Sequence, residues 1–242
     1  RPLAFFGDII ANLYAVDATT GELVWKISAD DHPSATLTGT PAYHAGIVYA
    51  PVSSLEVTAA ADPDYPCCTF RGKVIAVDAN SGSTTWESYT VPEPPSQQGV
   101  SSVGTAILAP SGAPVWNSQT LDPANNRLFF GSGENYSSPA DGNSDAIFAV
   151  RMDTGERLWT RQVFAGDAWN VGCMMSVNHP NCPPEMGPDY DQGSSPLLIK
   201  RPEAEDVIVA GHKDGSVVAY DAATGAQRQW VTKVGRGSIQ GG

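Results

Sequence analysis

The sequence is poor in basic residues: 14 Lys and Arg stand against 26 Asp and Glu over 242 residues, a net charge of −12. Phosphate recognition needs clustered Lys and Arg, so no nucleic-acid partner is expected, nor attachment to an anionic membrane surface. There is no run of 18 apolar residues, so no membrane-spanning helix is expected either. Cysteine is scarce. Cys67, Cys68, Cys173 and Cys182 are the only four, and none stands in Cys-x-x-Cys spacing. Zinc-ribbon, thioredoxin and haem-attachment readings therefore fail. Their even number points to pairing in an oxidising compartment, periplasmic or secreted. The four histidines, His32, His44, His179 and His212, show no metal spacing. Gly-x-Ser-x-Gly, Gly-x-x-x-x-Gly-Lys and His-Glu-x-x-His are all missing, which removes the chemistries those motifs serve.

Glycine and proline are plentiful, at 24 and 19 residues, a composition suited to many turns rather than long helices. One phrase occurs four times. Leu13–Gly21, Val74–Gly82, Ile147–Gly155 and Val217–Gly225 each pass from an apolar run through an Asp to Thr/Ser-Gly, and Trp25, Trp86, Trp159 and Trp230 follow. The fourth Trp comes one residue late. The apolar run is a strand, the Gly supplies a positive φ in a tight turn, and the Asp can bond the turn backbone. The Trp closes the return strand and is expected to pack between neighbouring sheets. Further strand signals lie upstream: Ala42-Tyr43 with Ile47–Tyr49, Val115-Trp116 with Leu128–Phe130, and Leu197–Ile199 with Val207–Val209. The expected fold is all-β, a β-propeller of four-stranded antiparallel blades spanning 1–30, 38–90, 114–163 and 193–234, the first of them partial. A closed ring needs more blades, and the chain runs from Arg1 to a mid-pattern Gly-Ser-Ile-Gln-Gly-Gly, so a fragment is expected. The repeats exceed the ~40–50 residues of an ordinary blade, which implies inserted loops. Insertions on one face of a repeat fold often carry the site.

The Ala-x-Asp-x-x-Thr/Ser-Gly-x-x-x-Trp repeat resembles the blade signature of pyrroloquinoline-quinone-dependent dehydrogenases. The segments Ser53–Glu56, Cys67–Gly72, Gly112–Trp116, Gly131–Tyr136 and Gly166–Asn170 stand in order. Together they resemble the polyvinyl-alcohol dehydrogenase branch of the quinoprotein alcohol dehydrogenases, over nearly the whole chain. The resemblance implies an eight-bladed ring, about half of it present here, with pyrroloquinoline quinone on the axis and Ca2+ beside it. It implies oxidation of a secondary or polymeric alcohol, with electrons passed to a cytochrome c-type acceptor. The repeat alone is shared with non-catalytic propellers of the outer-membrane assembly type, so a scaffold or binding protein is the alternative.

The resemblance also implies roles. Trp116 would form the floor under the flat quinone, or else pack a blade. Cys67 and Cys68 would form a disulfide between neighbours against one face of the quinone, or else remain two buried thiols. Here the pair follows Glu56, a departure from the order in other alcohol dehydrogenases. Glu56, Asn135 and Asn170 would be metal ligands, because calcium takes carboxylate and amide oxygens. Glu134 competes with Asn135 for that place, and Glu56 reads equally as a solvated loop carboxylate. Where the family places its catalytic Asp directly after a Trp, this chain has Asn170, so Asp167 is either the base or a turn cap. Lys213 would bond the quinone carbonyls, or sit at a hairpin tip. Arg71 would pair with a quinone carboxylate, or lie on a strand surface. Thr38 and Ser53 would offer hydroxyls. Cys173 and Cys182 bracket a Pro- and Asn-rich loop that a disulfide would pin. Asp141, Asn143 and Asp145 imitate the start of a calcium loop, but Ala146 and Met152 break the EF-hand pattern, leaving a polar turn.

Overall fold

The computed structural model describes residues 1–225 and 228–237, the side chains of 228 and 229 excepted. Residues 226 and 227, within the stretch that carries the late Trp230, and the closing 238–242 lie outside the described residues. The first sheet holds β1 (Leu3–Gly7), β2 (Asn12–Asp17) and β3 (Leu23–Ser28). The second holds β4 (Ala35–Thr36), β5 (Ala42–His44), β6 (Ile47–Ser54), β7 (Lys73–Asp78) and β8 (Thr84–Tyr89), with β4 and β5 both paired to β6. A hairpin follows, β9 (Ser96–Val100) and β10 (Ala106–Ala109). The third sheet holds β11 (Thr120–Asp122), β12 (Arg127–Gly131), β13 (Ala146–Arg151) and β14 (Arg157–Gln162). The fourth holds β15 (Leu197–Ile199), β16 (Val207–Gly211), β17 (Ser216–Asp221) and β18 (Arg228–Lys233). Two single-turn helices, α1 (Glu56–Ala59) and α2 (Gly172–Met175), lie in the loops.

The third and fourth sheets are the expected four-stranded antiparallel meanders. Successive side chains of a strand point to opposite faces, and here both faces of the middle sheets are apolar. Val48, Ala50 and Val52 of β6 face the first sheet, packing with Leu13, Ala15 and Trp25. Tyr49 between them faces the third sheet, with Leu128, Phe130 and Phe148. Phe129 and Ile147 then face the fourth sheet, against Ile208, Val218 and Tyr220. The sheets therefore stack face to face in chain order.

The recurring phrase supplies the joint between them. Trp25 donates its indole N–H to the carbonyl of Ala79 at 3.0 Å, and its ring covers Gly82 of the next sheet's turn. Trp86 donates to Met152 at 3.0 Å and covers Gly155; Trp159 covers Gly225. Gly82 and Gly155 have φ of 76° and 72°, and a Cβ on either would press into the tryptophan ring above it. Asp17, Asp78 and Asp221 accept the turn N–H groups at 2.7–3.2 Å. The third copy differs. Its turn closes from Gly155 N–H to Arg151 O, so Arg151 holds the place of the Asp, and Asp153 instead grips the Arg151 guanidinium.

The expectation of a strand at Val115-Trp116 is corrected. Asn117 uses its amide to bond both the N–H and the carbonyl of Gly131, at 3.0 and 2.9 Å, together with Gln192 O at 3.0 Å. Those side-chain bonds stand where a ladder would run, and pairing starts at Thr120.

Candidate functional site

Because the strands alternate in direction, the loops after β6, β8, β12, β14 and β16 all leave from one end, opposite the short repeat turns. Single bridges zip these loops together. Arg71 pairs with Gly112, Gly112 with Asn135, Asn135 with Ala168, and Ala168 with Met186. On the inner side, Thr40 N–H donates to Ser118 Oγ at 3.0 Å and Ser118 N–H to Ser195 Oγ at 3.1 Å, tying the segments that enter the second, third and fourth sheets. The loop end is thus a continuous layer, and nearly every residue singled out in the sequence lies in it.

One grouping surrounds Cys67 and Cys68, which form a disulfide across a cis peptide. Leu108 of β10 donates its N–H to Cys67 O at 2.8 Å and accepts Cys68 N–H at 3.3 Å, in a hairpin the sequence reading did not find. Beside the disulfide lies a cavity of about 190 Å³ bounded by Cys67, Ile107, Ser137, Pro180 and Cys182. Cys182 is bonded to Cys173, as the sequence suggested. Glu56 braces the segment leading into and past the pair. Its Oε1 accepts Thr69 N–H at 2.8 Å and Tyr65 O–H at 2.9 Å, its Oε2 accepts Phe70 N–H at 2.8 Å, and His32 Nε2 stands 3.4 Å away. Burial favours the neutral acid, but these donors outweigh it and hold the carboxyl below its usual range. Glu56 is therefore buried and hydrogen-bonded by protein donors on both oxygens, not solvated.

Asn170 is likewise committed: its amide donates to Tyr136 O and Asn181 O at 2.8 and 2.7 Å, and its Oδ1 accepts Gly172 N–H at 2.9 Å. Asn135 donates to Ser111 O at 2.8 Å and accepts Asp141 N–H at 2.8 Å. Arg71 spends its guanidinium on Val91 O and Pro92 O, stacked 4.0 Å above the Tyr89 ring. Ser53 is buried opposite Thr36, and Thr38 is exposed. Trp116 is half-buried in the loop before β11, next to Val115, whose N–H bonds Val52 O.

The second grouping is acidic. Asp167 is fully buried, and its oxygens accept Asp189 N–H at 3.3 Å and Tyr190 N–H at 2.6 Å. Burial pushes it up to about 6, with Asp191 adding to the push, against the two N–H donors and Lys213. It caps a segment 22 to 23 residues downstream rather than its own turn. Lys213 is buried and ion-paired to Asp189 at 3.2 Å and to Asp191. Burial opposes its charge, but Asp191 and Asp189 more than offset this and raise it. Glu134 donates its N–H to Asp191 Oδ1 at 3.1 Å. Burial, then Asp191, keeps the Glu134 carboxyl well above its ordinary value, while Asp189 is pushed to about 6 by burial and Asp191. Asp145 is buried as well. Sequence reasoning brought Asp167 and Lys213 forward but missed Asp189 and Asp191, and set Asp145 down as part of a polar turn.

Stacked antiparallel sheets, tryptophans docked on the next sheet's turn and a site layer at one end define a propeller-type repeat protein. The chain belongs to the PQQ_2 family, described as outer membrane protein assembly factor BamB, whose family model matches residues 7–241. It is 34% identical over 238 residues to a polyvinylalcohol dehydrogenase of Pseudomonas sp and 34% identical over 239 residues to that of Sphingopyxis sp. (strain 113P3). The matches cover 98% of this chain but 37% and 36% of those proteins, so the chain spans little more than a third of their length. The structure of quinohemoprotein alcohol dehydrogenase ADHIIG from Pseudomonas putida HK5 superposes with a TM-score of 0.70 at 25% identity, over 96% of this chain and 33% of that one. BamB from Moraxella catarrhalis shares the fold, with a TM-score of 0.55 at 16% identity over 99% of this chain and 51% of that one. Among the described residues no helix is long and apolar enough to cross a membrane.

Proposed function

We propose that this chain is part of a quinone-dependent dehydrogenase acting on a secondary or polymeric alcohol, with electrons leaving to a cytochrome c-type acceptor. The observation that carries this reading is the 34% identity to polyvinylalcohol dehydrogenases along 98% of the chain, loop segments included. The two disulfides fit an oxidising compartment, periplasmic or secreted.

The residues present suit a flat, carboxylate-bearing quinone: the disulfide of Cys67 and Cys68 is formed, Trp116 is half-buried in the same layer, and Lys213 supplies a cation. The quinone, when bound, supplies the two-electron acceptor. Asp167 is the proton acceptor of this reading. A carboxyl with a pKa of about 6 is ionised near neutrality and still basic enough to take the hydroxyl proton. Its two backbone donors fix the carboxylate plane, and Lys213 favours negative charge nearby. Glu56, Asn135 and Asn170 each hold an oxygen in this layer that already accepts a protein N–H group, and no step is assigned to an ion there.

The second reading, a non-catalytic propeller scaffold, is favoured by Asn170, whose amide is spent wholly on bracing main chain. Dye-linked oxidation of secondary alcohols and polyvinyl alcohol by the full protein, supplied with quinone and calcium, separates the two. The expected result is activity in wild type, loss of quinone-dependent tryptophan quenching in Trp116→Ala, and a kcat lowered ~100-fold or more in Asp167→Asn with quinone still bound. Activity that survives Asp167→Asn removes the base assignment. No quinone bound at equilibrium establishes the scaffold.

A further inference from the structure

We propose that Asn181 is the positioning residue for the segment that carries Cys67 and Cys68, and that Asn170 and the Cys173–Cys182 disulfide hold it in place. The inference rests on the quinone-dependent reading for its consequence, since Cys67 and Asn181 bound the same cavity, but not for its test. Asn181 grips a segment 116 to 121 residues earlier in the chain. Its Nδ2 donates to Ala60 O at 3.2 Å, Asp62 O at 2.9 Å and Tyr65 O at 3.0 Å. The same loop adds Val171 N–H to Val57 O at 3.0 Å and His179 Nε2 at 3.1 Å from Ala61 O. A His179 that donates from Nε2 leaves Nδ1 to accept Asn181 N–H, which lies 3.3 Å away. Turned over, the Asn181 amide would set its oxygen against those carbonyl oxygens. The network therefore fixes its orientation, and Oδ1 is left buried without a partner among the described residues.

Asn181 is itself held. It is 6% exposed, its carbonyl accepts Asn170 Nδ2 at 2.7 Å, and its neighbour Cys182 is bonded to Cys173. A Cβ on Gly172 would collide with His179 Nδ1 and Asn170 Oδ1, so glycine there lets the loop close. Asn170 also donates to Tyr136 O at 2.8 Å. This accounts for an amide at 170 where the resemblance leads one to expect an acid: two buried carbonyls need N–H donors, and an ionised carboxylate has none. From Tyr65 the grip passes directly to the disulfide, whose first cysteine lies two residues on. Glu56 holds Thr69 and Phe70 on its far side, and Leu108 of β10 holds Cys67 and Cys68 laterally. A group that must meet a flat ring tolerates little displacement, and Asn181 fixes the side that neither Glu56 nor β10 reaches.

Amide hydrogen exchange of the full protein, read by mass spectrometry, tests this without quinone. Asn181→Leu keeps the volume and removes the donor, and Asn181→Ala is the second variant. If one fails to fold, as judged by circular dichroism, the other decides, and Asn170→Asp decides if both fail. The expected result is exchange about tenfold or more faster across 60–72 in each variant, Asn170→Asp included, with β13 and β17 exchanging as in wild type. With quinone added, the variants are expected to bind it about tenfold more weakly, with kcat at saturation within about twofold of wild type. Unchanged exchange across 60–72 in a folded Asn181 variant overturns the proposal. So does acceleration spread evenly over β13 and β17, which marks a general loss of stability instead of a local hold. A wild type that binds no quinone removes the proposed function, and the exchange comparison still decides the role of Asn181.

Discussion

Glu56 and Asp145 are both fully buried acids, yet their surroundings give them opposite character. Against burial, His32 and the main-chain N–H groups of Thr69 and Phe70 lower the Glu56 pKa; among the described residues nothing donates to the Asp145 carboxylate, and burial raises its pKa well above the ordinary value. The sequence shows neither environment, because the donors to Glu56 come from Tyr65, Thr69 and Phe70 after a loop has closed. Asp145 ends an Asp-x-Asn-x-Asp run that reads as a polar turn, and Asp189-Tyr190-Asp191 carries no spacing that points to a site. Asp167 and Lys213 were legible through family resemblance; their neighbours required the fold. The raised acids have a consequence for stability. Asp167 and Asp189 keep their protons to about pH 6 when folded, against 3.8 as the ordinary value. Across that window the folded chain binds more protons than the unfolded one, so stability is fullest below it and falls as pH rises through it. Glu134 and Asp145, raised chiefly by burial, add to the fall, while Asp8 and Asp153, held at about 2, titrate below the window. His212, whose proton affinity burial lowers, opposes the trend as a single group. Metal-free protein is therefore expected to melt at a lower temperature at about pH 6.5 than at about pH 4.5. Asp167→Asn should shallow that slope, and a melting temperature that rises across the interval would contradict the assignment.

Among the elements, the strand–turn–strand phrase was the most legible part of the chain, because an apolar run, a turn Gly and a Trp all recur together. The structure adds where each Trp goes: onto the equivalent turn of the following sheet, with Trp25 and Trp86 also donating an indole N–H to it. Ala15, Ala76, Ala149 and Ala219 stand opposite the four tryptophans in register, so Trp230 occupies the same ladder position despite its late arrival. What could not be read was where pairing begins. Asn117 replaces part of a strand by side-chain bonds, and Gln97 and Gln98 in β9 give a polar strand without alternation. The docking arrangement predicts unequal costs. Trp25→Ala, which empties a buried contact and leaves Ala79 O without its donor, should lower stability by ~3–5 kcal/mol in urea denaturation. Trp230 is 46% exposed, and Trp230→Ala should cost under ~1 kcal/mol. Equal costs would mean that the stacking on the turn contributes little.

At the scale of the whole molecule, the same joint is left half-made at each end of the stack. Trp25, Trp86 and Trp159 each cover a turn glycine, but a Cβ on Gly21, in the first sheet's turn, would meet nothing within 4 Å. Trp230, in the fourth sheet, stands exposed. One end of the chain thus presents an uncovered Asp17–Gly21 turn and the other presents the tryptophan that such turns receive. Phe6 adds an exposed ring on the first sheet's outer face, stacked on Tyr14 at 5.1 Å. Complementary but different surfaces at two ends make a heterologous contact, which propagates or closes according to the rotation per copy. The net charge of −12 opposes that contact through a repulsion that salt screens within about 8 Å at physiological ionic strength. A polypeptide limited to these 242 residues is therefore expected to associate head to tail as concentration rises, more strongly in added salt. Sedimentation equilibrium checks this: the weight-average mass should climb with concentration for wild type and stay at one chain for Trp230→Glu, which places a charge where the turn would dock. A wild type that remains a monomer at every concentration and salt would show that the sheet stacking inside the chain needs the covalent connection between sheets as well as the Trp-on-turn joint.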